Sequence, residues 1–257
     1  MLVNDLKLLT EAAREAGDIA KLYFQKSPKV WDKGGTAGPV TEADLEVNRM
    51  LSCDLRTARP GYGWLSEETE DSADRLSHEH VFIVDPIDGT RAFIEGTPHW
   101  AHSLAIARSG HIQSAAVYMP MIDLMFTATI GGGAYLNGLP ITVSARIETQ
   151  GANILSSNVN FREEFWPGGF PDLKRSFRSS LAYRLCLVAN GEFDGMLTLR
   201  PTWEWDVAAG CLIVSEAGGL ATDQAGAAPV FNSPVGQLNG IVASNSKIHF
   251  GLMAGLT

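Results

Sequence analysis

The hexapeptide Asp85-Pro86-Ile87-Asp88-Gly89-Thr90 constrains this chain more than any other feature. It follows directly on Val81–Val84, a short apolar run that reads as a buried strand. Proline fixes φ and glycine permits a tight backbone path. The segment therefore predicts a turn at the strand's carboxyl end, with two carboxylates aimed into one space. With the Ile87 carbonyl between them, this is the oxygen-rich donor set that a hard cation such as Mg²⁺ takes. Gly89 and Thr90 read as a helix start, whose free amide groups suit a phosphate. An Asp-Pro or Asp-Gly pair alone is an ordinary solvated turn. Five fixed residues at these offsets arise by chance in roughly one such chain in ten thousand.

The rest of the pattern is that of a mixed α and β protein. Leu6, Leu9, Ala13, Ala16, Ile19, Ala20 and Tyr23 recur at helical steps, predicting a helix from Asn4, its cap, to about Gln25, ended by Ser27-Pro28. A second helix is expected from Thr41 to the Pro60-Gly61 stop. Ser103–Ala107, Ile112–Tyr118 and Leu124–Thr127 read as an antiparallel meander, with Asn137-Gly138 a further turn that no long strand follows. Beyond residue 149 strands and helices alternate: Asn153–Ser157 and Gly240–Ser244 as strands, Ser180–Ala189, Asp206–Ala217 and the C-terminus as helices. The expected organisation is an α+β half over 1–148, carrying most of the candidate metal ligands, and an α/β half over 149–257.

Composition removes several functions. The 257 residues are 45% hydrophobic and 19% charged, a globular profile. Lys and Arg number 20 against 29 Asp and Glu, a net charge of -9. No broad basic face is available for nucleic acid or an anionic membrane surface. Cys53, Cys186 and Cys211 form no metal-ligand spacing and no complete disulfide set, which points to thiols in a reducing compartment. No run approaches the ~20 apolar residues of a membrane span, and Met1–Ala20 lacks the pattern of a secretion signal. A soluble cytoplasmic protein is expected.

Three further carboxylate groups have bland readings in isolation. Glu67-Glu68 is the pattern of a wet surface pair. Thr41 and Asp44 suit the cap and first turn of a helix. Asp206 reads as an N-cap that keeps one oxygen free. Lys33–Gly38 is glycine-rich but is no phosphate-binding P-loop, because its lysine precedes the glycines. It reads instead as a flap by which Lys33 offsets phosphate charge. His78-Glu79-His80, His99 and His102 read as surface or packing residues, and Trp203 and Trp205 as core or a wall of the substrate site.

Taken together, Val40-Thr41-x-Ala43-Asp44, Glu67-Glu68, Asp85-Pro86-Ile87-Asp88-Gly89-Thr90 and Trp205-Asp206-Val207-Ala208-Ala209-Gly210 stand in the order and spacing of one family. With Gly131–Gly138 and Ser215-Glu216-Ala217-Gly218-Gly219, the chain resembles the inositol monophosphatase family over nearly its whole length. The resemblance implies a layered αβαβα sandwich of the inositol monophosphatase and fructose-bisphosphatase type, a homodimer, and a Mg²⁺-dependent, lithium-sensitive phosphatase of small phosphate esters. It implies two or three Mg²⁺ ions per site. Glu67, Asp85 and the Ile87 carbonyl would hold the first and Asp85, Asp88 and Asp206 the second, with a weaker third ion near Glu67. Thr90 and Asp44 would orient the attacking water, and Glu68 would support the ligands. Asp88, Gly89, Thr90, Arg200 and Asp206 would contact the substrate, the phosphate resting on the Gly89 and Thr90 amides.

Substrate clues conflict. Inositol-phosphate members often place an acidic residue several positions before the Trp-Asp pair, and Leu197–Trp203 has none. Glu204 sits too close to Asp206 to match. Arg200-Pro201-Thr202 resembles members that cleave 3′-phosphates from adenosine bisphosphates, where an arginine pairs with a second phosphate. Gly89–Ile94 resembles histidinol-phosphatases. Inositol monophosphate stands as the family default. A role from another class, a non-catalytic partner in transcription or ribosome assembly, belongs to some bacterial members.

Overall fold

The computed structural model describes residues 2–34 and 38–256. Helix α1 (Leu2–Tyr23) buries Leu9, Ala13, Ala16 and Ala20 along one face. Asn4 lies within it rather than capping it. Gln25 and Ser27, both at positive φ, turn the chain away. An antiparallel hairpin of β1 (Val30–Asp32) and β2 (Pro39–Thr41), not foreseen from the sequence, leads into α2 (Glu42–Ala58). Gly35, Thr36 and Ala37 of the glycine-rich segment lie outside the described residues. Thr41 caps α2 as expected, and Asp44 returns the bond to the Thr41 amide, a complete capping box.

The meander is present and is larger than expected. Strands β3 (Gly63–Ser66), β4 (His80–Asp88), β5 (Ala101–Arg108), β6 (His111–Met119), β7 (Leu124–Thr129), β8 (Gly133–Leu136) and β9 (Leu139–Pro140) form one sheet in chain order. Only the β3–β4 pair is parallel. The second half supplies β10 (Ala152–Leu155), β11 (Leu173–Ser176), β12 (Gly195–Thr198), β14 (Leu220–Thr222) and β16 (Ile241–Ser244), ordered β11-β10-β12-β16-β14. A small ribbon pairs β13 (Thr202–Trp203) with β15 (Gln237–Leu238). The remaining helices are α3 (Thr90–Ile94), α4 (Leu181–Ala189), α5 (Glu204–Glu216) and α6 (Ser246–Leu256).

The layers follow from which faces are apolar. Helices α1 and α2 cover one face of the first sheet with Leu9, Val47, Leu51 and Leu55 against Phe82, Leu104 and Ile106. Helices α4 and α5 fill the space between the sheets. Their residues Leu185, Val207 and Ile213 join Ile83, Val117 and Phe126 on one side and Met196 and Ala243 on the other. Helix α6 closes the outer face of the second sheet through Ile248 and Leu252 on Ile154, Leu197 and Val242. This is the αβαβα sandwich. From Val207 to Val214 helix α5 is apolar all round because that stretch is covered all round. Gly210 makes the central layer possible, since a Cβ there would lie 2.5 Å from Leu185 on α4.

Two local expectations are corrected. The Asp85–Asp88 segment is no turn: β4 runs on through Asp88. Helix α5 begins at Glu204, so Asp206 is its third residue and not its cap. Trp203 occupies the cap position without a side-chain bond.

Candidate metal centre

The β4–β5 ladder explains how two aspartates three residues apart come together. Alternate side chains of a strand face opposite ways, so an odd offset should separate Asp85 from Asp88. The register, however, pairs Asp85 with Ser103 and Asp88 with Ala101. Pro86 and Ile87 thus both oppose His102, which is a β-bulge. Proline favours it, because it has no N–H to give the ladder. The extra residue restores the alternation and brings both carboxylates to the same face. Helix α5, packed on that face, adds Asp206. One oxygen from each of Asp85, Asp88 and Asp206 lies within 4.8 Å of the others.

Each carboxylate has a different environment. Both oxygens of Asp85 are buried and lack a hydrogen-bond partner among the described residues. Burial and the charges of Glu67, Asp88 and Asp206 push its pKa well above the carboxylate range. Asp88 Oδ2 accepts from Ser180 Oγ and the Ala182 amide, each at 2.6 Å, at the start of α4. Burial raises Asp88 to about 6 against those bonds. Asp206 is raised well above its ordinary value by burial, then by Asp88 and Glu67. Native proteins rarely leave a buried carboxylate with neither donor nor counter-charge. The donor set is all oxygen, as a hard divalent cation requires, and its span suits one. The residues therefore fit Mg²⁺.

Thr90 and Asp44 meet. Thr90 Oγ1 lies 3.1 Å from Asp44 Oδ1 and 3.2 Å from the Ile87 carbonyl. Burial raises Asp44 to about 6, although bonds from Thr41 and Thr90 oppose the shift. Gly89, at φ 102°, opens α3 in a conformation that side chains rarely adopt. A Cβ there would also stand 3.1 Å from the His99 carbonyl.

Glu67 and Glu68 are not a wet pair. Lys33 Nζ sits 2.8 Å from Glu67 Oε1 and 2.6 Å from Glu68 Oε1. Burial and Glu67 raise Glu68 to about 7, with Lys33 opposing. Burial disfavours the Lys33 charge, but the two glutamates outweigh it and its pKa is raised. Glu67 is thus held by an ammonium beside the three-aspartate cluster rather than within it. Arg200 is exposed, and its guanidinium has no hydrogen-bond or ion-pair partner among the described residues, while its charge is felt at Asp206.

Sequence reasoning missed several supports. Ser180 was legible as a helix start, but not as the donor to an aspartate 92 positions away. Buried Arg184 lies near Asp88 and Asp206, with Nε bonded to the Arg178 carbonyl and its guanidinium over Phe177. Glu204 anchors the loop at Asn232 and Ser233 by accepting their amides. The remaining histidines of that reading have local partners. His78 bonds to Asp74 and the Gly61 carbonyl, His80 stacks on Tyr62, and His99 stacks on Tyr183. Trp203 stacks on Trp205 at 4.6 Å, one exposed and the other buried.

Comparison with known proteins agrees with this architecture. The Inositol monophosphatase family profile matches residues 2–256. A Rhizobium meliloti (strain 1021) protein named inositol-1-monophosphatase is 38% identical over 226 residues, 83% of this chain and 80% of the relative. The Escherichia coli (strain K12) Nus factor SuhB is 33% identical, covering 86% of this chain and 85% of its own. Among solved structures, the extragenic suppressor protein suhB of Bartonella henselae superposes with a TM-score of 0.83 at 30% identity, covering 99% of this chain and 98% of its own. The chain belongs to the inositol monophosphatase family.

Proposed function

We propose that the chain is a Mg²⁺-dependent phosphomonoesterase acting on a small phosphorylated metabolite, with inositol monophosphate as the first substrate to test. The observation that carries this reading is Asp85, a buried carboxylate without donors beside two more. When bound, Mg²⁺ supplies counter-charge to the phosphate and acidifies a water. The protein's own groups do the rest. Thr90 and Asp44 align the attacking water, the Asp44 carboxylate accepting from the Thr90 hydroxyl. The Gly89 and Thr90 amides receive the phosphate, and Asp88 and Asp206 frame it from opposite elements.

Arg184 and Arg200, close to Asp206, favour a second substrate class with another anionic group, such as an adenosine 3′,5′-bisphosphate. The relatives named Nus factor SuhB support a third reading, a binding role that needs no catalysis. One panel separates these readings. Phosphate release is measured from inositol 1-phosphate, adenosine 3′,5′-bisphosphate, histidinol phosphate and fructose 1,6-bisphosphate, with Mg²⁺, EDTA or Li⁺, and with Asp88→Asn. Mg²⁺-dependent turnover lost in Asp88→Asn is the expected result. No turnover of any ester by a Mg²⁺-binding protein would favour the partner role.

A further inference from the structure

The bulge that aligns Asp85 with Asp88 has to be held. Pro86 has no N–H, and the extra residue interrupts the ladder between Asp85 and Asp88. A side chain reaches the backbone at that point. His102, the single β5 residue opposite the bulge, is fully buried, and its Nδ1 meets the Pro86 carbonyl. A carbonyl only accepts, so Nδ1 carries the proton and donates. Nε2 is then an unprotonated acceptor, buried and without a partner among the described residues. The ring is fixed edge-to-face against Trp100 at 5.5 Å.

The next residue does the same for the other ligand-bearing element. Ser103 points to the opposite face of β5, and its hydroxyl donates to the Trp205 carbonyl at 3.0 Å. Adjacent residues of one strand thus tie down the backbone beside Asp85 and the backbone beside Asp206. Neither belongs to the motifs that mark the family resemblance.

We propose that His102 is a positioning residue for the cation site: by holding the Pro86 carbonyl it fixes the bulge that keeps the Asp85 and Asp88 carboxylates on one face. The inference rests on reading the three-aspartate cluster as a Mg²⁺ site. It requires that cation affinity depend on the donor at Nδ1 and not on the bulk of the ring.

Calorimetric titration of Mg²⁺ into the whole chain tests it, alongside melting in EDTA. His102→Phe keeps the volume and removes the donor. His102→Asn loses volume, yet its amide nitrogen stands where Nδ1 stood. The phenylalanine variant is expected to bind Mg²⁺ about tenfold more weakly, the usual size for losing a support behind a ligand. The asparagine variant is expected to stay within about threefold of wild type while melting lower in EDTA. Affinity and stability then rank the variants in opposite orders, which a purely structural histidine would not produce. Should His102→Phe fail to fold, His102→Gln replaces it, because its amide nitrogen lies at the Nε2 position, away from Pro86. Wild-type affinity in the donor-less variant, or equal loss in both, would overturn the positioning role. Asp85→Asn is the control. If it binds Mg²⁺ as wild type does, the cation-site reading itself fails. If it alone loses binding, only the role of His102 fails.

Discussion

Replacing Asp85 by asparagine should stabilise the metal-free protein and abolish its response to Mg²⁺. The substitution is nearly isosteric, so packing is preserved. Its effect comes from removing a buried charge with no donor that faces Asp88 and Asp206 within 4.8 Å. At an effective dielectric near 20, two full charges at that span repel by about 3.5 kcal/mol. Burial and the neighbouring carboxylates raise the pKa of Asp85, so this repulsion is an upper bound. A gain of about 2 kcal/mol in EDTA is therefore expected, which raises Tm by about 4–8 °C for a domain of this size. The new amide can donate to the remaining carboxylates, adding to the gain. In Mg²⁺ at about 100 times Kd, wild type should gain about 2.7 kcal/mol by mass action, and the variant almost nothing. Differential scanning calorimetry in EDTA and in Mg²⁺ reads both effects, and phosphate release should vanish. A variant that melts below wild type in EDTA, or keeps its Mg²⁺ shift, would refute the electrostatic account of the site.

Three further outcomes are expected. Lys33→Ala removes the ammonium between Glu67 and Glu68 and should lower Tm in EDTA by a few degrees, with Mg²⁺ recovering most of the loss; an unchanged EDTA melt counts against that pairing. The metal-free protein should lose stability between pH 6.5 and 8. Glu68, raised to about 7, and Asp85 and Asp206, raised well above their ordinary values, keep protons in the folded state that the unfolded chain has released. Asp44 and Asp88, both raised to about 6, contribute the same sign mainly below this window. His102, lowered to about 4 by burial, acts oppositely, but only below its unfolded value near 6.5. Urea titrations in EDTA showing stability flat or rising over that range would contradict this, and Mg²⁺ should remove the decline. Gly210→Ala should cost about 1–3 kcal/mol through its contact with Leu185, seen as a Tm lower by about 2–12 °C; an unchanged melt would mean that α4 and α5 separate freely.

The sequence and the structure diverge where long-range pairing decides. Periodicity located α1 and α2 because each buries one regular face, and β5, β6 and β7 because each is a short, largely buried apolar run bounded by turn residues. It did not reveal β1 and β2, two three-residue strands, the first exposed and the second largely buried, too short to carry a pattern of their own. The Asp-Pro-Ile-Asp motif was visible, but its geometry was misread: proline and glycine suggested a turn, whereas Pro86 forms a bulge in a continuing strand. Asp206 looked like a cap because aspartate favours that position, yet Glu204 already lies in the helix, its carboxylate occupied by the Asn232 and Ser233 amides. Lys33 stood beside glycines in sequence, and its pairing with glutamates 34 and 35 positions on is a tertiary fact. His102 carried no motif, and its partner is a backbone carbonyl, which leaves no trace in residue types.

The central layer also imposes an order in time. All seven strands of the first sheet are present once Pro140 has been made, and α1 and α2 are already there to cover one face. The opposite face awaits α4 and then α5, the second of which begins at Glu204, 64 positions later. At synthesis rates of about 5–20 residues per second, Ile83, Val117 and Phe126 await their cover for about 3–13 s. During that interval the nascent chain presents a broad apolar sheet face to the cell. Speed of translation through residues 141–203 and access of chaperones to that face should therefore set the yield of folded protein, more than the stability of the finished sandwich.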